Sequence, residues 1–317
     1  MKPKLYIDDF VGVTNRLETL PLAFAIREKY GHEIILDWPE LNDALVIEET
    51  RAGKVFFMAR LGAKRIRDCS REDFLSLENQ KVILRSLEGP DDIISPIYHD
   101  VSKKVKIKPH IAKEIKRSFE TYKNDIVVGL HIRHGDFQIQ SDEIYDPKAW
   151  VWPAVPLWWY RNVMSMVKEA VPEVKFFLSS TGDVDEYRSL FEEFDIFTLS
   201  QETTYVKRRE GNQSKIHPVS DLFALGCCSV VLATPLSGYS HWGANVLGTK
   251  ADVIIPMSGA TQIDSKPGLI DMHGRRLCHW REHGRESTEM TPLTDVCTQL
   301  KGLGTPKLTW LDQITVG

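Results

Sequence analysis

The sequence has no long apolar run. Nowhere does it approach the ~18–20 consecutive apolar residues of a membrane span. Its opening, MKPKLYIDDF, lacks the apolar core of a signal peptide, so the expected location is cytoplasmic. Cysteine is scarce: Cys69, Cys227, Cys228, Cys278 and Cys297 are odd in number and irregular in spacing, with no Cys-x-x-Cys. That argues against a disulfide framework and a structural zinc site, and the thiols read as buried or incidental. An excess of positive charge is lacking too. Forty Lys and Arg against 44 Asp and Glu give a net charge of −4, which speaks against a dedicated nucleic-acid binder. There is no internal repeat, no low-complexity segment and no G-x-G-x-x-G dinucleotide fingerprint.

What is present is the material of a large core. The 317 residues are 42% hydrophobic and 26% charged, enough apolar side chain to exclude disorder and to fill roughly two domains of about 150 residues each. Strand and helix patterns alternate. Residues 4–7, 33–38, 54–59 and 81–86 read as strands, 15–30 and 108–122 as helices. The strongest strand is 125–133, DIVVGLHIR, whose near-continuous apolar run suits a parallel strand covered on both faces. Alternation then resumes: helices over 156–171, 183–191, 218–228 and 239–247, strands over 174–180, 195–200, 229–234 and 251–256. Repeated βα units predict an α/β protein with parallel sheets. The break between halves falls near 123–125. The tail beyond 260 is harder to read, with a closing helix expected over 291–302.

Three segments carry candidate chemistry. His131-Ile132-Arg133-His134-Gly135-Asp136 stands at the carboxyl end of the strongest strand, where open α/β sheets bind ligands. His131 and Arg133 alternate onto one side, and an arginine there can grip phosphate with two N–H groups. A structural Arg–Asp pair is the plainer alternative. The second segment, residues 10–17, joins the first strand to the first helix and offers Gly12, Asn15 and Arg16 at a helix start, a natural anion site. Taken alone, it reads better as a loop with Asn15 as N-cap. The third pairs Asp221, early in a helix, with Thr234, Ser237 and Ser240 in a strand-to-helix turn. Hydroxyls and amides at such a turn suit a diphosphate, and a nearby carboxylate can accept two N–H bonds from a guanine edge. Helix capping is the competing account of both.

Together these segments resemble the fucosyltransferase superfamily, which includes α1,6-, α1,2- and protein O-fucosyltransferases. The H-x-R-[RH]-x-D element matches residues 131–136. The Gly/Asn-bearing loop matches 12–17, and the D-L-x-x-L…T-x-x-S-x-x-S element matches 221–240. The resemblance runs from the start of the chain to about residue 250. It implies a GT-B architecture: a Rossmann-like domain on the acceptor side (1–124), a second binding the GDP-sugar (125–285) and a tail (286–317). It implies that Arg133 contacts the leaving diphosphate, His131 lies by the nucleotide, Asp221 reads guanine, and Thr234 and Ser237 contact phosphate. Gly12, Asn15, Arg16, Asp136 and Ser240 complete the expected donor site. One departure stands out. Where the family has T-D-D, this chain has Thr181-Gly182-Asp183.

Asp183 and Asp185 form a D-x-D, the metal signature of a different glycosyltransferase fold, but Asp183 with Glu186 also makes an N-capping box. Trp150, Trp152, Trp158 and Trp159 could stack on an acceptor or fill a core. Lys207, Arg208 and Arg209 read as a solvated loop. The resulting expectation is a metal- and cofactor-independent, inverting transfer of fucose from GDP-fucose to a glycan or glycoconjugate hydroxyl. Asp142 or Glu143 is the candidate base, with surface carboxylates as the bland alternative. The alternatives are a transferase using another nucleotide sugar and a non-catalytic nucleotide-sugar-binding protein.

Overall fold

The computed structural model describes residues 2–134, 137, 154–181, 187–199, 205–206, 213–214, 217–234, 237–248, 251–256, 272–274 and 304–316. Two sheets organise the chain. The first contains β1 (Lys4–Asp8), β2 (Glu33–Asp37), β3 (Arg51–Ala52), β4 (Lys64–Ile66) and β5 (Val82–Leu84) in the order β3-β2-β1-β5-β4. All its pairings are parallel. The second contains β6 (Val127–Arg133), β7 (Lys175–Thr181), β8 (Ile196–Phe197), β9 (Val230–Leu232), β10 (Asp252–Pro256) and β11 (Met272–Gly274), ordered β8-β7-β6-β9-β10-β11. Its pairings are parallel except for the last, where β11 runs antiparallel to β10. The α/β architecture with parallel sheets is therefore the one the alternating pattern predicted. Central strands are buried on both faces, as Val127, Val128, Leu130 and Ile132 are in β6, which is why that strand reads as one apolar run.

The helices that bear on the site are α1 (Val13–Glu18), α2 (Leu20–Tyr30), α3 (Pro109–Phe119), α4 (Leu157–Ala170), α5 (Pro218–Cys227) and α6 (Gly238–His241), the last continued by a wide π-type turn through Val246. A single apolar core joins the halves. The α3 residue Phe119 packs on Phe177 of β7 and Phe197 of β8. The returning C-terminal segment pairs with both halves: the Lys307 amide donates to the Cys227 carbonyl and the Val316 amide to the Ile107 carbonyl.

Two local expectations are corrected. Residues 54–59 are not a strand: Phe57–Arg60 forms one helical turn. Its inward residues Val55, Ala59 and Ala63 sit four apart, against Tyr6, Ile35 and Ile83, and a short apolar run does not by itself distinguish the two periods. The helix expected over 15–30 starts earlier and breaks at Thr19. Pro21 explains the break, because proline lacks an N–H and fits only the first turn of a helix. Gly12 is the N-cap of α1, so Asn15 stands inside the helix and is not its cap.

Candidate functional site

The strand order brings the carboxyl ends of β6, β7 and β9 side by side. His131 pairs in register with Ser179, and Thr234 follows β9 beside them. His131 is buried. Ser240 Oγ accepts from the Thr234 amide at 3.1 Å and lies 2.5 Å from His131 Nδ1. It is placed to donate there, which leaves the ring proton on Nε2. The Tyr239 ring stacks on the imidazole at 4.9 Å. Burial, and secondarily the charge of Arg133, push the histidine down to about 3, so it is a neutral group at physiological pH.

Thr234 is consumed internally. Its Oγ1 donates to the His131 carbonyl at 2.7 Å, accepts from the Arg133 amide at 3.1 Å and lies 2.9 Å from the Tyr160 hydroxyl of α4. Thr234 and Ser240 thus fasten β6 to the turn after β9, a different job from the phosphate contact expected for them. The Arg133 side chain projects beyond the strand end, half-buried, its guanidinium 4.9 Å from the centre of the Phe137 ring.

Asp221 lies in the first turn of α5 and is 4% exposed. Capping does not account for it, because His217 caps this helix by accepting from the Val219 amide. Burial drives its carboxyl up to about 7, with the charge of Glu114 adding to the rise and a hydrogen bond from Ser179 opposing it. Tyr239, whose hydroxyl donates to the Pro218 carbonyl, is raised by burial first and by the Asp221 charge second. Asp221, Ser179, Tyr239 and His131 therefore form one connected cluster. Ser237 is the N-cap of α6, yet its hydroxyl makes no cap bond. It is 1% exposed and has no hydrogen-bond partner among the described residues. An orphaned buried hydroxyl beside the first-turn amides of a helix is the kind of group a ligand satisfies.

The first half meets this edge through α1. A Cβ added to Gly238 would come 3.1 Å from Asn15 Oδ1 and 3.4 Å from Thr14 Oγ1. The Gly12–Asn15 segment and the Ser237–Gly238 turn therefore face each other, with Gly12 exposed. Glu18 locks this approach, accepting from the Trp242 indole at 2.6 Å and the Tyr98 hydroxyl at 2.8 Å. Arg16 is corrected. It is 2% exposed, forms a two-point ion pair with Glu40 at 2.8 and 2.9 Å, and donates to the Val11 carbonyl. Its guanidinium shapes the 9–12 loop from inside, because every face of it is already engaged.

Asp136, Asp142, Glu143, Asp183, Asp185, Trp150, Trp152 and residues 207–209 lie outside the described residues. Trp159 is core, and Trp158 packs against it half-buried. Among the described residues no group of three or more His, Cys, Asp or Glu is arranged to hold a metal ion, and no helix is long and apolar enough to cross a membrane. Tyr239, Ser179 and Glu18 escaped the sequence reading. Only Ser179 left a signal, through its matching position in the strand after His131.

No protein-family model matches the sequence, and no curated protein matches it. The fold does match solved structures. The fucosyltransferase NodZ from Bradyrhizobium aligns over 84% of this chain and 100% of its own, at 15% identity and a TM-score of 0.51. NodZ α1,6-fucosyltransferase soaked with GDP-fucose aligns over 87% of this chain and 100% of its own, at 15% identity and a TM-score of 0.50. POFUT1 in complex with GDP-fucose aligns over 80% and 97%, at 11% identity and a TM-score of 0.50. The chain has the fucosyltransferase-like GT-B fold of two facing Rossmann-like sheets.

Proposed function

We propose that the protein is a glycosyltransferase that moves fucose from GDP-fucose to a hydroxyl of a glycan or glycoconjugate, with inversion and without a metal. The observation that carries the reading is the convergence of Arg133, Asp221 and the orphaned Ser237 hydroxyl around His131 at the carboxyl edge of the second sheet. Solved structures of the same fold with GDP-fucose and GDP support the choice of donor.

Breaking the bond between sugar C1 and the diphosphate oxygen puts positive charge on the sugar and negative charge on departing GDP. Arg133 and the amides that open α6 supply fixed positive charge for the leaving group. Ser237 donates to a phosphate oxygen. Neutral His131 orients the nucleotide side through Tyr239. Asp221 accepts from guanine N1–H and the exocyclic amine. The acceptor hydroxyl attacks from the opposite face, on the side of Gly12 and Asn15, and its proton leaves to Asp142 or Glu143. Calorimetric titration tests the donor assignment. GDP should bind more tightly than UDP, and Asp221→Ala should weaken GDP by about five- to 150-fold, the cost of ~1–3 kcal/mol, while narrowing the gap. An unchanged ratio would leave Asp221 with a purely structural role.

A further inference from the structure

The connection between β3 and β4 joins strands at opposite edges of the first sheet, so residues 53–63 must cross one whole face of it. The cover is thin. Val55, Ala59 and Ala63 lie on Tyr6, Ile35 and Ile83. The other side of this crossover points outward and is apolar: Phe56, Phe57, Met58 and Leu61 are 69%, 75%, 69% and 57% exposed. Four large apolar side chains within six residues are far from the scattered exposure a soluble surface usually shows. They account for four of the six large hydrophobics exposed among the described residues.

The surroundings of this ridge are cationic. Register runs straight across the covered face as Arg51, Ile35, Tyr6, Ile83, Arg65, so one arginine stands at each edge on the same side as the ridge. Residues 51–67 hold six Lys or Arg and no Asp or Glu, in a chain of net charge −4. Arg51, Lys54 and Lys64 lie 3.0–3.4 Å from Glu33, Asp37 and Asp73, and Arg60 is 3.5 Å from Asp8. Arg65 and Arg67 are exposed, with no ion pair among the described residues. Lys81 donates to the Met58 and Leu61 carbonyl oxygens, holding the turn in shape.

We propose that this ridge docks the protein on an anionic bilayer surface. Phe56, Phe57, Met58 and Leu61 enter the boundary between headgroups and acyl chains, and Arg65 and Arg67 engage lipid phosphates beside them. An aromatic ridge with a basic rim matches both the apolar and the charged layer of such an interface, whereas a second copy would set these arginines against each other. Docking needs no membrane-spanning helix and is independent of the donor assignment.

Co-sedimentation of the full chain with vesicles tests it. Binding should be strong on vesicles containing roughly one-third phosphatidylglycerol, weak on phosphatidylcholine alone, and reduced by salt. F56S/F57S should abolish it while thermal melting stays as in the parent, since both side chains are exposed. Arg65→Glu, which leaves the ridge intact, should weaken it by at least about fivefold. No preference for anionic vesicles, or full binding by F56S/F57S, would overturn the proposal. So would a concentration-dependent dimer that dissociates in F56S/F57S.

Discussion

At the residue scale the informative group is Asp221. Its ordinary carboxyl value is 3.8 and burial lifts it to about 7 in the folded chain. Between those values the native state holds a proton that the unfolded chain has released. Raising pH through that window therefore costs stability, and the loss is complete once pH passes the folded value. Asp221→Asn should remove this contribution, melting above the parent at pH 8 and showing little gain at pH 4; a difference between parent and Asp221→Asn that does not change over this range would contradict the burial argument. Ligand binding runs the other way. Guanine N–H donors need the ionised carboxylate, so GDP affinity should climb by up to about tenfold per pH unit below 7 and level off above it. In Asp221→Asn the climb should vanish. Calorimetry across pH 5.5 to 8 reads both proteins. His131, held near 3, stays neutral in the folded protein and adds no slope to GDP binding. Its ordinary value of 6.5 in the unfolded chain gives the stability profile an opposing slope between those values, so the Asp221 contribution is read as the difference between parent and Asp221→Asn.

At the scale of elements, α5 is built for close approach. Gly248 has φ +66°, and a Cβ there would fall 2.1 Å from the Gly226 carbonyl oxygen on α5. Gly248→Ala should destabilise the protein by on the order of 3 kcal/mol or more, since both the backbone and the contact resist; chemical denaturation would show it, and a neutral result would mean that the turn relaxes freely. Much at this scale was legible in the sequence. Strands 4–8, 127–133 and 175–181 were readable because continuous burial writes an apolar run, and the end of 127–133 because polar groups interrupt that run there. The crossover at 53–63 was not readable, because its small inward residues, four apart, are interleaved with large outward apolar ones, and together they read as one apolar run. In sequence Arg16 reads as a ligand contact because its partner Glu40 lies 24 residues away, in a short helix whose packing only the fold reveals. Tyr239 was invisible as a stacking partner, since nothing in a G-Y-S triplet announces a ring across from a histidine on another strand.

At the scale of the molecule, the proposed donor edge belongs to the second sheet and is met by α1 from the first half. Glu18 is the tie between them, holding Trp242 and Tyr98 together. Glu18→Ala strands two buried donors and should cost ~1–3 kcal/mol for each, with GDP affinity falling as α1 loosens from Gly238. Glu18→Gln keeps one acceptor oxygen and should retain most of both. Denaturant titration alongside GDP calorimetry checks this, and equal behaviour of the two variants would remove Glu18 from that role. The proposed reaction requires one sheet edge to handle a GDP-sugar by fixed protein charge. Release of GDP from GDP-fucose in excess EDTA, with a glycan mixture as acceptor, measures that directly. The parent protein should turn over undiminished by chelator, and Arg133→Ala should lose on the order of a hundredfold or more while its melting is preserved. Turnover that requires added Mn²⁺ or Mg²⁺, or full activity in Arg133→Ala, would contradict the account.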